Sequence, residues 1–540
     1  MKKYILNVKK YIIMELMLGI LAAICVGFIP NCEKLLLDNI ALLQNRGALI
    51  NIILLFAACG ILGCIFSYMS SLMNIKWTSS MRCRLQTDFF DALADTSYEE
   101  FKKKAVGDYV SMETNNTDVV VDEYIKPFLN MVQAILKVIV YAIIMFLCID
   151  WKISLLIFAL SFFTIFIPKI FEKKNKKLGQ LFMKATENYT TSVKDYLEGI
   201  KLINNKTRRA IIEQHNHVVN KTISQKIKSG TFVIFSMCME VTGIKIVELI
   251  VFIFVVILLL KGQMTAGMAL AVFTYSSYFV SPLQDTLNSI NSINSRKGIA
   301  KEYMETMEHY NTHKIRNCGI NDHKKCIECF KNSIKFENVC IQREQFKMDH
   351  INLEFEKGKK YVIIGHSGSG KTTILNLLMG YEKLDSGCIK IDGNSIEESN
   401  TDGIMGCISQ KDHIFSDSFK NNVTVFGSYG EEQIEKGTLS SYGGILQKIC
   451  HKSDCSDLSG GEKQITSLLR ALTADKDIIL MDEPFSDLDV VTYKKAMDTV
   501  MELEDKTIIM VTHNLDENLQ RFDKIISMDN GKVIEERQLS

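Results

Sequence analysis

The chain reads as an all-α domain of six membrane-spanning helices followed by an α/β domain built around a phosphate-binding loop. Three observations predict this. Residues 1–290 carry six long apolar runs, "YVIIGHSGSGKTT" joins an apolar strand to a helix through a glycine-rich loop, and "DIILMDEP" is an apolar strand ending in adjacent acids. From about residue 336 the composition changes to short β-rich segments alternating with helical ones, the pattern of an α/β domain.

A length of 540 residues implies more than one domain. The 63 basic and 62 acidic side chains nearly cancel, so no nucleic-acid partner is expected. A mean hydropathy of +0.08 alongside 23% charged residues averages very apolar segments with an ordinary soluble part. Most of the 15 cysteines are scattered singly, which fits free thiols in a reducing cytosol better than a disulfide framework. One cluster stands apart: Cys318, His323, Cys326 and Cys329 in "CGINDHKKCIEC". Zinc uses Cys-x2-Cys pairs, but a second pair is absent, and a plain linker is the favoured reading. No internal repeat or low-complexity tract is present.

The apolar runs lie near residues 11–30, 49–72, 128–149, 153–171, 232–260 and 264–285. Each approaches the ~20 residues a helix needs to cross a ~30 Å hydrocarbon layer, and helices are required because lipid offers the backbone no partners. The third run contains Lys137, and the fifth contains Glu240, Lys245 and Glu248. The first run is too long for a cleavable signal peptide and lacks a small-x-small site after it. Lysines 2, 3, 9 and 10, together with the long basic loops "EEFKKKAVGD" and "FEKKNKKLGQ", place both termini and these loops in the cytoplasm of a multi-pass protein of the cell (plasma) membrane. The loops carry helical patterns that extend the membrane helices into the cytosol. The expected division is a six-helix domain over 1–310, a linker over 311–335 and a nucleotide-binding domain over 336–540.

The glycine loop matches G-x-x-x-x-G-K-[ST] at Gly365, Gly370, Lys371 and Thr372. Glycines let successive N–H groups point at phosphate oxygens, and the following helix N-terminus adds positive potential. The stretch Gly365, His366, Ser367, Gly368, Ser369, Gly370, Lys371, Thr372 and Thr373 is therefore expected to cradle the phosphates. Lys371 would reach the β and γ phosphates, and Thr372 would ligate Mg²⁺. The strand "DIILMDEP" brings Asp482 to the same ion and Glu483 beside it, placed to polarise an attacking water. Paired acids ending a buried strand are costly unless metal or water uses them. Together the motifs specify an α/β P-loop NTPase domain that hydrolyses a nucleoside triphosphate with Mg²⁺; the family resemblance that follows implies that the nucleotide is ATP.

"LSGGE" before that strand, taken with the other motifs, resembles the ATP-binding cassette family. The resemblance implies that Leu458, Ser459, Gly460, Gly461 and Glu462 cap the ATP bound by an opposite subunit. It also implies that Gln410 in "CISQKDHIF" is a Q-loop residue touching Mg²⁺, that "SDLD" (Ser486 to Asp489) is the D-loop, and that His513 is the switch histidine. In the first half, "FKKKAVGDYVSMETNNTDVV", "DYLEGIKLI" and "KGQMTAGMALAVFTYSSYFVSPLQ" resemble the cytoplasmic loops and last helix hairpin of exporter-type cassette transporters. The implied fold is the ABC exporter fold with one nucleotide-binding domain, a half-transporter. Three departures stand out. The family's adenine-stacking position falls on Arg343, with Phe346 three residues further on. "ICHKSDCSD" replaces the usual T-x-V-G-E-x-G stretch, and the segment between Gln410 and Leu458 is short.

With Glu483 and Gly460–Gly461 intact, a homodimer is favoured over pairing with a related half-transporter. The expected function is ATP-driven export of a small molecule, lipid or peptide. The alternatives are an importer of the same fold and a membrane ATPase with a regulatory or sensing role. About ten residues precede the first span, too few for the N-terminal peptidase of leader-cleaving exporters. Lys245 and Glu248, three apart, are expected to share a helical face. Glu248, with Tyr275, Ser277 and Ser281, is a candidate lining of the transport path.

Overall fold

The computed structural model describes residues 2–38, 46–149, 151, 154–155, 159, 166–312, 325–343, 346–410, 412–430, 448–513 and 517–539. Two compact units emerge, one formed by Met1–Ala94 with Lys104–His313 and the other by Asp95–Lys103 with Lys314–Ser540.

The first unit is helical. It contains α1 (Lys2–Asp38) and α2 (Arg46–Ala94), and then, beyond the four-residue α3 (Tyr98–Phe101) of the second unit, α4 (Val106–Ser111). Next come α5 (Lys126–Cys148), α6 (Phe166–Glu198), α7 (Arg208–Leu260) and α8 (Ala266–Thr312). Between α4 and α5 the chain widens into two π-helical stretches, Met112–Asn116 and Val119–Ile125. Among the described residues, four helical stretches are long and apolar enough to span a membrane: Lys3–Asp38, Gly47–Ala94, Val106–Cys148 and Arg208–Leu260. The sixth apolar run is helical within α8, where Thr274–Tyr278 interrupt its hydropathy. Most of the fourth run lies outside the described residues. Outward apolar side chains such as Leu147 and Leu260, at 80% and 82% exposure, suit lipid rather than water.

Several polar groups inside this unit are satisfied between helices. Glu15 of α1 is 4% exposed, and both carboxylate oxygens are taken: Asn74 Nδ2 donates at 2.8 Å and Trp77 Nε1 at 2.6 Å, both from α2. Arg82 pairs with Asp118 at 2.6 Å and also with Asp122. Gly27 allows close approach of α1 to α5, since a Cβ there would lie 2.7 Å from Ile144 Cδ1. The carbonyl of Gly27 accepts a 2.8 Å bond from Tyr275 Oη. Tyr275 is 0% exposed, so it ties α8 to α1 and does not line a path, contrary to the expectation from its polarity. Ser277 donates to Phe273 O, and Lys245 pairs with Glu248 at 2.7 Å as their spacing predicts.

The second unit holds two main sheets. The strands are β1 (Lys325–Cys326), β2 (Ser333–Arg343), β3 (Phe346–Glu356), β4 (Lys360–Gly365), β5 (Ser386–Ile391), β6 (Asn394–Ser395), β7 (Ser399–Asn400) and β8 (Met405–Ile408). They continue with β9 (Ile478–Asp482), β10 (Thr507–Val511), β11 (Lys524–Asp529) and β12 (Lys532–Gln538). The larger sheet runs β12-β11-β4-β10-β9-β8, parallel except for the β11–β12 hairpin, and a second sheet runs β3-β2-β5-β6. Alternate residues feed separate cores: Ile478, Leu480, Ile509 and Val511 pack into one, and Ile479, Met481, Ile508 and Met510 into the other. Burial on both faces explains why these strands read as continuous apolar runs. The segment Asp95–Lys103 belongs to this unit, with the Tyr98 ring 4.5 Å from that of Tyr381 and Lys383 Nζ 3.0 Å from Glu99. Of the cysteine–histidine cluster, Cys318 and His323 lie outside the described residues, and Cys326 and Cys329 are exposed thiols.

Replacing Trp77 with Phe removes one of the two donors to the buried Glu15 carboxylate. The expected cost is about 1–3 kcal/mol, the usual penalty for a stranded buried acceptor. Thermal unfolding of the purified full-length chain in detergent measures it, and an unchanged midpoint shows that the contact contributes nothing.

Candidate nucleotide-binding site

The site is assembled at the C-terminal edge of the parallel strands. Val511 stands opposite Ile363 on one side and Asp482 on the other, and Ile408 stands opposite Met481. Residues immediately beyond these positions therefore leave the sheet together, the crevice where open α/β sheets bind ligands. From β4 the chain enters the glycine loop, and then α9 (Lys371–Leu378). β8 leads to Gln410, β9 to Glu483 and β10 to His513.

Glu483 adopts a left-handed backbone, φ +45°, and its N–H donates to Val511 O at 3.0 Å. A non-glycine residue there is strained, and such strain clusters at working sites. The turn directs the carboxylate between two partners. Gln410 Nε2 donates to Glu483 Oε2 at 3.0 Å, and His513 Nδ1 lies 2.9 Å from Oε1. The three residues with expected catalytic roles thus meet.

The phosphate loop is shaped by close approach. A Cβ on Gly365 would lie 2.2 Å from Met528 O, so only glycine fits there. Gly370, at φ +103°, meets the Phe346 ring, whose Cζ would be 2.7 Å from a Cβ. Lys371 is 7% exposed and spans the loop, donating to Gly365 O at 2.8 Å and His366 O at 2.9 Å. His366, Ser367 and Gly368 form the exposed crest, whereas Ser369 is buried and its Oγ has no hydrogen-bond partner among the described residues. An unsatisfied hydroxyl under a ring of loop N–H groups is the kind of donor a phosphate oxygen completes. Thr372 is exposed at the start of α9, followed by Thr373. The Thr372 hydroxyl bonds Asp482, whose carboxyl is pushed above the usual range chiefly by burial, with Glu483 adding to the effect. Phe346, not Arg343, borders the loop. Arg343 is drawn to Asp385 at 3.4 Å and to the carbonyls of Gln342 and Lys383.

The LSGGE segment opens α11 (Gly460–Thr473); upstream lies the short α10 (Phe419–Thr424). Leu458 is buried, and Ser459 and Glu462 form a reciprocal capping box: Glu462 Oε2 accepts from Ser459 N at 2.9 Å, and Ser459 Oγ accepts from Glu462 N at 3.4 Å. A Cβ on Gly460 would lie 2.8 Å from Asp487 Oδ2, so the signature glycine seats the D-loop that precedes α12 (Val490–Met501). Sequence reasoning missed two residues that hold these pieces. Gln464 donates to Ser486 Oγ at 3.1 Å and accepts from Asp487 N at 3.0 Å. Arg470 donates to Asn422 O at 2.8 Å and His413 O at 3.0 Å, tying α11 to the segment after Gln410. Their one sequence signal was a polar residue on an otherwise buried helix face.

Comparison with known proteins agrees with this geometry. Residues 348–486 match the family model described as ABC transporter, and residues 12–283 match that described as ABC transporter transmembrane region. The ATP-dependent lipid A-core flippase of Vibrio parahaemolyticus is 24% identical over 459 residues, 81% of this chain and 76% of the relative. That of Escherichia coli strain K12 is 24% identical over 537 residues, 94% of this chain and 89% of the relative. Among solved structures, a bacterial Atm1-family ABC exporter with ATP bound superposes with a TM-score of 0.79 at 17% identity, covering 99% of this chain and 95% of that one. The overlap extends the likeness of fold across both units. With a transmembrane region and a cassette ATPase in one polypeptide, the chain belongs to the ABC transporter family, a multi-pass membrane protein that couples ATP hydrolysis to transport.

Proposed function

We propose that two copies of this chain form an exporter in which each ATP lies between the phosphate loop of one copy and the LSGGE segment of the other. The observation that carries this reading is the meeting of Gln410 and His513 on the Glu483 carboxylate, beside a glycine loop that Lys371 spans and whose buried Ser369 hydroxyl has no partner among the described residues. The membrane domain occupies residues 1–310, a linker 311–335 and the cassette 336–540, with both termini cytoplasmic. The lipid A-core flippases make a lipid one candidate cargo beside small molecules and peptides.

Each residue then has a role. Lys371 exchanges its bonds to the loop carbonyls for β and γ phosphate oxygens, the N–H groups from Gly368 to Thr373 surround them, and Ser369 completes its hydrogen bonding there. Phe346, packed on Gly370, borders the nucleotide where adenine stacks. Thr372, Asp482 and Gln410 supply a hydroxyl, a carboxylate and an amide, the hard oxygen set suited to Mg²⁺. Bound Mg²⁺ neutralises charge on the β and γ phosphates. Glu483 accepts a hydrogen bond from the attacking water, and His513 holds Glu483 in place and reads the γ phosphate. ATP binds the closed dimer more tightly than the open one, so binding and hydrolysis shift the population between them.

Glu483→Gln keeps the shape and removes the charge. Nucleotide affinity is expected to survive while turnover falls at least about 10²-fold. Paired ATP-binding and phosphate-release measurements test this, and near-normal hydrolysis removes the water-positioning role.

Burial raises the Asp482 carboxyl, so the folded chain holds that proton more tightly than the unfolded chain does. The ionised form therefore destabilises the nucleotide-free fold at neutral pH; the penalty shrinks as pH falls below the raised value and is gone below the ordinary carboxylate value. Asp482→Asn is expected to raise the unfolding midpoint of the nucleotide-free protein while losing the extra stabilisation by Mg-ATP. Thermal scans with and without Mg-ATP read both effects. A lower midpoint without nucleotide contradicts the first, and a retained Mg-ATP shift contradicts the second.

A further inference from the structure

The apolar run of α5 contains Lys137, a cost that the ATP chemistry does not explain. In the structure Lys137 lines a cavity of about 380 Å³ between α5 and α8, within the size range of small-molecule sites. Asn130, Gln133 and Lys137 project from α5, three and four residues apart on one helical face; Asp285, Asn288 and Ser292 project from α8 with the same spacing. Gln133 is engaged with Ser70 Oγ at 3.2 Å, and Ser292 donates to Glu123 O at 2.7 Å. Asn130, Lys137, Asp285 and Asn288 have neither an ion pair nor a hydrogen bond among the described residues. Other charged side chains of this unit do have partners: the Glu15 carboxylate takes hydrogen bonds from Asn74 and Trp77, Glu248 pairs with Lys245, and Glu123 pairs with Arg296 at 2.5 Å. Here a cation and an anion line one cavity without meeting.

We infer that this cleft is a binding site for a zwitterionic group, an ammonium and a phosphate or carboxylate on one small polar body. A lone anion would suit Lys137 and face Asp285, and a lone cation the reverse. A ligand with one charge of each sign satisfies both, and the free amides of Asn130 and Asn288 supply hydrogen bonds around it. Unmatched ionisable groups in a membrane domain mark substrate pathways by default. The assignment rests on the transport reading for its purpose, whereas its chemistry stands on the cavity alone.

Binding to the detergent-purified full-length chain, without ATP, tests it. The probes are dioleoylphosphatidylethanolamine, its soluble headgroup glycerophosphoethanolamine, and anionic dioleoylphosphatidylglycerol. At least one zwitterionic probe is expected to bind, with affinity falling at least about ten-fold in Lys137→Gln and again in Asp285→Asn, since each strands one ligand charge. Phosphatidylglycerol should weaken in Lys137→Gln alone and tighten in Asp285→Asn. Binding by the lipid alone identifies a headgroup as the source, and binding by the soluble probe as well identifies a free zwitterion. Thermal midpoint and basal ATPase, which neither residue touches, report whether the variants are folded. Should either single variant fail to fold, K137D/D285K keeps one charge of each sign and is expected to bind within a few-fold of wild type. The inference is overturned if neither zwitterionic probe binds the wild type or if folded variants bind them unchanged. Failure of the transport reading is separate: it shows as absent ATP-driven movement of cargo in sealed vesicles while probe binding persists.

Discussion

Backbone register in the parallel sheet is the constraint on which the catalytic geometry depends. Because Val511 pairs with both Ile363 and Asp482, and Ile408 with Met481, the chain exits toward the phosphate loop, Glu483, His513 and Gln410 at one level. The register is itself fixed by packing. Alternate side chains of β9 and β10 enter two different cores, and a one-residue slip would exchange them. It would also move Glu483 off its bond to Val511 O and away from both partners. Hydrophobic burial thus determines where the charged chemistry sits.

The helical unit solves a different problem, since lipid supplies no hydrogen bonds and several of its polar groups find their partners on another helix. Glu15 spends both oxygens on α2, Tyr275 reaches a main-chain carbonyl of α1, and Thr117 Oγ1 donates to Tyr303 Oη at 3.1 Å. These bonds also fix which helix faces meet, a specificity that apolar contact alone lacks in a lipid solvent.

The residues proposed to act on phosphate were legible in the sequence because that chemistry demands fixed types at fixed spacing after apolar strands. Asp482, Glu483 and His513 lie at strand ends and Lys371 opens the helix after the glycine loop, as their flanking text implies. Phe346 and Arg343 could not be separated by counting, because the choice depends on where Asp385 of another segment draws the arginine. Tyr275 was misread for a related reason: a tyrosine in an apolar helix reads alike whether its hydroxyl faces water or a carbonyl. Glu15 passed unremarked because a single acid hardly changes a long apolar run, and its partners lie on a different helix. The π-helical widening before α5 has no periodic signature at all.

Gln464 gives the cassette a mechanical property. One amide holds the hydroxyl of Ser486 and the backbone of Asp487, while the glycine at 460 lies against the Asp487 side chain. The signature helix and the D-loop are therefore a single rigid piece with two working edges. A rotation of that helix carries the D-loop with it by the same angle. Local events at either edge are transmitted as a tilt of the whole piece, without an intervening chain of flexible contacts.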